Sequence, residues 1–450
     1  MKTLAELARD LEGGASTSRR LVEECLSRIA DPKGEGLRTF VKVHAESARA
    51  AADYYDRLRA HGVTRSRWAG IPVSIKDLFD VAGDVTTAGS QLLRGGPPAS
   101  KDCAVVARLR AAGFVPIGRT NMTEFAYSGL GLNPHYGTPL NPFERHRGRA
   151  PGGSSSGAAI SITEEMSYGA VGTDTGGSTR IPAAFCGIVG FKPTARRVPT
   201  SGAFPLSPTL DSVGPLAGSV ACCAALDAIL ADESTDTLDV VELRGRRFAV
   251  PTHYVLDSLE SHVARSFERA IRQLRGAGAQ IFEIPLAELD ELPSINRKGG
   301  FAGAEAYAVH RERLEAQRPQ FDPRVSMRIL SARDQSAADY IDLVRARADL
   351  QRRVDGQLTQ FDAALMPTTP IVAPLLQDLE SDEEYVRINQ LALHNTAVTN
   401  FLDRCAISVP CHEAGSAPVG LMLMGPHGGD RRTLGIAAAV EAVVTPEPKH

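Results

Sequence analysis

The sequence lacks any apolar run of about 18 residues, the length that a membrane-spanning helix requires. Its first residues do not predict a secretory leader either, because Glu6, Arg9 and Asp10 interrupt the apolar stretch there. Together, these two absences predict a cytoplasmic protein that makes no membrane contact.

Cysteine is scarce and scattered. The seven cysteines are an odd number, and no two of them form a CxxC pair. This spacing is typical of reduced intracellular thiols and offers no zinc site. We therefore expect small buried cysteine side chains and no bound metal.

An excess of positive charge is also missing. The chain has 50 Lys and Arg residues against 53 Asp and Glu residues, a formal net charge of −3. Proteins that bind nucleic acid through bulk charge are strongly basic, so this class is excluded. The hydrophobic content of 43% excludes a disordered chain.

Helix and strand patterns alternate along the chain. Residues 3–30 predict two short helices and residues 44–61 a third, while AGIPVSI and FVPIGR predict buried strands. This alternation predicts an α/β fold with a mixed, largely parallel, twisted central sheet covered by helices on both faces. We expect one main domain, with N-terminal helices over 1–62, a core over 63–225 and the remainder over 226–450. A helical subregion over about 290–395 is expected to shape a pocket.

Glycine and serine are concentrated between residues 150 and 194, where two Gly-Gly-Ser turns lie close together. In TDTGGSTRIPAA, Ser178 follows one such turn and enters a predicted helix. The backbone amides of Thr175, Gly176, Gly177 and Ser178 are candidate donors to an oxyanion. A phosphate cradle is excluded, because the spacing GxxxxGK followed by Ser or Thr is absent. A plain structural turn stays an alternative.

A serine nucleophile needs a base, but no histidine occurs between His146 and His253. A lysine buried in apolar surroundings loses its charge more readily, because burial lowers its pKa. Lys76 ends the apolar run AGIPVSI and is the candidate base. The alternative is a lysine at a strand end that reaches solvent or pairs with Asp77.

Four long motifs occur in order: GIPVSIKDLFDVAG, GRTNMTEFAYSGLGLNPHYGTPLNP, GGSSSGAA and GTDTGGSTRIPAAFCGIVGFKPT. Over roughly residues 65–220 they resemble the amidase signature family of serine hydrolases. The resemblance implies a catalytic core over 63–225 and a triad of Lys76 as base, Ser154 as bridging serine on a cis peptide bond, and Ser178 as nucleophile. It also implies that no metal or organic cofactor is needed. The family usually has GGSSGG, so Ser156 replaces a glycine and Ser155 is an alternative bridging serine.

Several further side chains are candidates for the site. The resemblance places Tyr127 and Ser128 in a segment that lines the acyl pocket, although core packing is the alternative for Tyr127. Asp174 is expected to anchor the nucleophile turn, and Arg180 is expected to pair with an acid. Roles for His310, His394, Arg328, Arg333 and Arg404 stay open, with the arginines as candidate ligands of a substrate carboxylate.

Three functions compete. The first is hydrolysis of a carboxylic or ureido-type amide of a small molecule through an acyl-enzyme, releasing ammonia or an amine. The second is the glutaminase subunit of a tRNA-dependent amidotransferase, which is disfavoured because no acid lies between Leu391 and Asn400. The third is an inactive binding protein on the same fold. The sequence does not determine the oligomeric state, and a homodimer is one candidate assembly.

Overall fold

Eleven strands form one sheet in this protein, whose computed structural model describes residues 1–234 and 238–445. The strands are β1 (Phe40–Val43), β2 (Pro72–Lys76), β3 (Val115–Thr120), β4 (Ala170–Asp174), β5 (Val189–Lys192), β6 (Ser212–Ala217), β7 (Arg247–Pro251), β8 (Gln280–Ile284), β9 (Ala363–Pro367), β10 (Ala406–Pro410) and β11 (Gly420–Met424). Their order across the sheet is β1-β3-β2-β4-β6-β5-β10-β11-β9-β7-β8.

The α-helices of the described residues are α1 (Leu4–Glu12), α2 (Ser18–Ala30), α3 (Gly36–Thr39), α4 (Ala45–Ala60), α5 (Ala104–Ala111), α6 (Ser156–Thr163), α7 (Arg180–Cys186), α8 (Val220–Ala231), α9 (Ser261–Gly276), α10 (Leu292–Ile295), α11 (Gly300–Gln317), α12 (Pro323–Leu330), α13 (Ala337–Leu358), α14 (Asp382–Phe401) and α15 (Asp430–Val444). The three predicted N-terminal helices correspond to α1, α2 and α4. A capping box between Thr3 and Glu6 begins α1, whose leucines are buried.

The sheet is mixed, as predicted, but it is not largely parallel. Six of the ten pairings between described strands are antiparallel. Parallel pairing is confined to β3-β2-β4 and to β9-β7-β8, where helical crossovers return the chain in the same direction. The central strands β5, β6, β10 and β11 all pair with antiparallel neighbours, and direct loops join β5 to β6 and β10 to β11.

Helices cover both faces of the sheet, which confirms that prediction. Alternate residues of β11 belong to different apolar clusters: Leu421 and Leu423 lie in one with residues of α15. Met422 and Met424 lie in the other with residues of α13 and α14. Because successive side chains of a strand point to opposite faces, these helices pack on opposite sides of the sheet.

The predicted pocket subregion of 290–395 contains α10 to α13 and most of α14. The division of the chain at residues 62 and 225 stays a prediction. All seven cysteines are free and buried. Among the helices of the described residues, none combines the length and the apolar character that crossing a bilayer demands. No cluster of potential metal ligands occurs in the described part of the chain.

Candidate active site

The site forms where two neighbouring parallel strands end. Lys76 is the last residue of β2, and Thr173 lies near the end of β4. The Lys76 side chain is completely buried, and its Nζ donates to Ser154 Oγ at 2.8 Å and to Thr173 Oγ1 at 2.9 Å. The alternative of an ion pair with Asp77 is wrong, because Asp77 Oδ1 accepts from Arg119 Nε at 2.8 Å.

Burial changes the acidity of the lysine. The apolar surroundings lower the pKa of Lys76 to about 7, although the negative charges of Asp174 and Asp211 partly oppose this effect. A buried ammonium loses its hydration, so the neutral amine is favoured relative to a lysine in water. Near neutral pH, Lys76 is therefore able to accept a proton.

Ser154 reaches Lys76 from the first Gly-Gly-Ser turn. The Gly153–Ser154 peptide bond is cis, and the Ser154 carbonyl accepts from the Thr123 amide at 3.1 Å. Only glycine fits at position 153, because a Cβ there would lie 2.6 Å from the backbone nitrogen of Gly131. The glycines before Ser154 thus allow the close backbone approach that aims its hydroxyl at the lysine.

The two serines that follow have different partners. Ser155 Oγ donates to the Thr173 carbonyl at 3.4 Å, and its amide donates to the Ser178 carbonyl at 3.4 Å. Ser156 begins α6, and its buried hydroxyl has no hydrogen-bond partner among the described residues. Of the three adjacent serines, Ser154 is the one whose hydroxyl contacts Lys76.

Ser178 lines a small cavity of about 50 Å³. It lies in the turn between β4 and α7. The sequence predicted that Ser178 enters the helix, but α7 begins two residues later, at Arg180. The other lining residues are Ala126, Tyr127, Ser128, Thr175, Gly176, Leu206, Ala302, Arg328 and Leu393. The predicted pocket residues Tyr127 and Ser128 are thus placed beside Ser178.

The predicted oxyanion donors divide into two groups. The Gly177 amide donates to Asp174 Oδ1 at 2.8 Å, so the expectation that it faces an oxyanion is wrong in this structure. Thr175, Gly176 and Ser178 line the cavity and keep their place as candidate donors. The Gly177 amide instead stabilises the turn through its hydrogen bond to Asp174.

Asp174 and Arg180 form a buried ion pair beneath the turn. Arg180 Nη2 lies 2.8 Å from Asp174 Oδ1, and Arg180 Nε lies 3.0 Å from Asp174 Oδ2. Burial is the largest influence on the pKa of Asp174 and raises it. The charge and hydrogen bonds of Arg180, the charge of Lys192 and the hydrogen bond from Asn400 together exceed this effect and hold the pKa of the carboxyl well below its usual range. Asn400 Nδ2 adds a hydrogen bond of 2.9 Å to Oδ1. The pair therefore joins the nucleophile turn to α14.

Arg328 is the one candidate arginine that the described structure places at the cavity. Its guanidinium lies 4.3 Å from the centre of the Tyr127 ring, and its Nη1 donates to the Tyr127 carbonyl at 3.0 Å. Arg333 is exposed beside Asp334, and Arg404 pairs with Asp355. The packing of α12 brings Arg328 to the cavity, and no sequence pattern indicated which of the three arginines would lie there.

The two candidate histidines lie outside the cavity. His310 is fully buried among the rings of Phe125, Phe204 and Phe321, and burial lowers its pKa to about 4, helped by the charge of Arg313. The His394 ring stacks on Tyr254 at 4.0 Å and its Nε2 lies 3.1 Å from the Tyr254 carbonyl oxygen. Leu206, Ala302 and Leu393 line the cavity, although no sequence pattern indicated them.

Comparison with known proteins decides the family. The sequence model of the Amidase family matches residues 20–434. The chain belongs to the Amidase family. This membership confirms the resemblance drawn from the four motifs.

Two relatives have sequences similar to this amidase over nearly its whole length. It is 37% identical to 2-amino-5-chloromuconic acid deaminase from Comamonas testosteroni, over 98% of this chain and 96% of the relative. It is 34% identical to a glutamyl-tRNA(Gln) amidotransferase subunit from Chromohalobacter salexigens, over 97% of this chain and 95% of that relative.

Solved structures show the same fold. A crystal structure of an amidase superposes with a TM-score of 0.89 at 31% identity, covering 98% of this chain and all of that one. Native peptide amidase from Stenotrophomonas maltophilia superposes with a TM-score of 0.80 at 28% identity, covering 99% and 98%. The chain is an amidase-signature hydrolase, which confirms the predicted amidohydrolase. Enzymes of this family act on small amide substrates.

Proposed function

We propose that this amidase cleaves the C–N bond of a small linear amide through an acyl-enzyme on Ser178, with Lys76 as base and Ser154 as proton relay. The observation that carries the proposal is the buried contact of 2.8 Å between Lys76 Nζ and Ser154 Oγ. A lysine whose pKa burial lowers to about 7 supplies the neutral amine that a base requires.

The reaction runs in two halves. Neutral Lys76 accepts the hydroxyl proton of Ser154, which accepts that of Ser178, and Ser178 Oγ then bonds to the amide carbon. The amides of Thr175, Gly176 and Ser178 donate to the oxyanion. As the oxyanion collapses, the C–N bond breaks, Ser154 gives its proton to the leaving nitrogen, and Lys76 returns a proton to Ser154, so that Lys76 is neutral again. Water then cleaves the ester and restores Ser178.

The cavity supports a substrate with a carboxylate near the reacting amide. Arg328 is the sole charged side chain among the described lining residues, and the cavity volume of about 50 Å³ fits a small acyl group. A guanidinium in a mostly neutral pocket attracts a carboxylate and can bind it with two parallel hydrogen bonds. The relative from Comamonas testosteroni is named for a carboxylic acid, 2-amino-5-chloromuconic acid, and this name supports a substrate that carries a carboxylate.

A glutaminase subunit is the second candidate, because several relatives are named as amidotransferase subunits. Glutamine would present its carboxylate to Arg328, but its ammonium also needs a partner. No carboxylate is found among the lining residues that the structure describes for this cavity. We therefore place free glutamine below simple acid amides. The cytoplasmic location stays a prediction, and a homodimer stays a candidate assembly.

Ammonia or amine release from a panel of amides tests the proposal. The panel contains monoamides of dicarboxylic acids, aromatic amides, ureido compounds and glutamine. It also contains the methyl ester of each monoamide, which keeps the amide but carries no charge. Wild type should release ammonia and Ser178→Ala should not, because the acyl-enzyme cannot form. Equal release by both proteins would refute the role of Ser178.

The substrate class needs its own variant. Arg328→Gln should raise KM for acid monoamides at least tenfold and leave KM for the neutral esters within about twofold, because a single charge-assisted contact is lost. Arg333→Gln is the matched control, since Arg333 is exposed. Equal losses for charged and neutral amides in Arg328→Gln would contradict a carboxylate site.

A further inference from the structure

A loop between β5 and β6 forms one wall of the cavity through the side chain of Leu206. Two carboxylates hold this loop. Asp211, at its end, accepts from the amides of Leu206 at 3.0 Å and Ser207 at 3.1 Å, both on Oδ2. The chain therefore turns back on itself around one carboxylate oxygen.

The other oxygen of Asp211 reaches across to the nucleophile turn. Thr175 Oγ1 donates to Asp211 Oδ1 at 2.5 Å. Thr175 also lines the cavity, and its amide is one of the three candidate oxyanion donors. A single carboxylate thus ties the wall of the acyl cavity to the turn that carries Ser178.

The second carboxylate is Glu305 on α11. Glu305 Oε2 accepts from Ser207 Oγ at 2.5 Å and from the Thr209 amide at 3.1 Å, while Tyr340 OH donates to Oε1 at 2.6 Å. Its helix also carries Ala302, another lining residue. The loop is consequently fixed by Glu305 on its outer side and joined by Asp211 to the catalytic turn.

We propose that Asp211 is a positioning residue for the reaction, because it holds the Thr175 oxyanion donor and the Leu206 wall in one fixed geometry. The proposal rests on the proposed function of the same site. Donors aimed in advance at the developing charge stabilise the transition state more than donors that must reorganise. A displacement of about 1 Å in such a site lowers the rate by up to about 100-fold.

Two variants cut the same contact from its two ends. Asp211→Asn removes the negative acceptor, and Thr175→Val removes the hydroxyl donor while keeping the Thr175 amide and the approximate side-chain volume. We expect each to lower kcat by about 10- to 100-fold, with KM for the best panel amide within about threefold. The rate at which a fluorophosphonate labels Ser178 should fall in parallel, because that reaction uses the same oxyanion donors.

A double-mutant cycle separates positioning from general damage. The variant carrying both substitutions should be no slower than the slower single variant, because the hydrogen bond that Thr175→Val removes is already disrupted in Asp211→Asn. Asp342→Asn is the matched control, since Asp342 is exposed on α13 with Arg345 as its partner. Strictly additive losses, or a wild-type kcat in Asp211→Asn, would overturn the proposal.

The outcomes distinguish this inference from the proposed function. If Ser178→Ala is inactive and Asp211→Asn keeps full kcat, the positioning role fails while the mechanism stands. If Ser178→Ala remains active, the mechanism itself fails. Should Asp211→Asn not fold, Thr175→Val decides alone, because it leaves both loop amides bound to Asp211: a wild-type labelling rate then overturns the proposal.

Discussion

The pH dependence of the rate follows from the burial of Lys76. The pKa of about 7 means that the neutral, reactive form is about one-tenth of the enzyme at pH 6, half at pH 7 and nine-tenths at pH 8. We expect kcat/KM for an acid monoamide to rise about tenfold between pH 6 and pH 8 and to level off above that. An ordinary lysine of pKa 10.5 would instead leave the rate rising through this whole range.

Charged groups near Lys76 contribute to the profile, and one of them titrates at the lower end of the same range, because burial raises the pKa of Asp211 to about 6. Ser154 and Thr173 accept its hydrogen bonds, and the charges of Asp174 and Asp211 raise its pKa against the effect of burial. Removing the charge in Asp211→Asn should move the midpoint of the profile to lower pH.

Ammonia release measured at constant ionic strength provides the profile, with Ser178→Ala as background and Asp342→Asn as a charge control with an unshifted midpoint. A rate that stays constant from about pH 6 to pH 9 would refute Lys76 as the base. A rise continuing to about pH 10 would refute the effect of burial.

Two further predictions concern stability. Lys76→Met should abolish activity yet raise the unfolding free energy at pH 7 by on the order of 2 kcal/mol, because burying an ionisable amine opposes folding. Between pH 7 and 10.5 the unfolded chain binds more protons than the native one, so wild type gains stability with rising pH and the difference should shrink towards pH 10. Urea unfolding at several pH values checks this, and a variant less stable than wild type at every pH would contradict it. Asp174→Asn should destabilise the protein by about 3–5 kcal/mol, because Arg180 is left buried without its counter-charge. A loss no larger than that of Asp342→Asn in the same urea assay would show that the pair is not a stabilising element.

Local sequence determined much of this protein. The Gly-Gly-Ser turns and the lysine at the end of a buried strand are short-range features, since glycine conformations and strand periodicity are properties of neighbouring residues. They sufficed to name Lys76 and Ser178 as candidates, whereas Ser154 and the family followed from the resemblance of the four motifs to amidase signature proteins. The helices over 3–30 and 44–61 were equally predictable, because amphipathic spacing and caps act within a few residues.

The tertiary structure decided what depends on distant contacts. The antiparallel centre of the sheet follows from loops whose direction no local pattern sets. Arg328 rather than Arg333 or Arg404 lines the cavity because of how α12 packs, and Asp211 meets Thr175 across 36 residues of sequence. The low pKa of Lys76 likewise arises from burial by the whole fold. The sequence therefore determined which groups are able to react, and packing decided which of them meet and with what charge, because desolvation and hydrogen-bond geometry exist only once distant segments have come together.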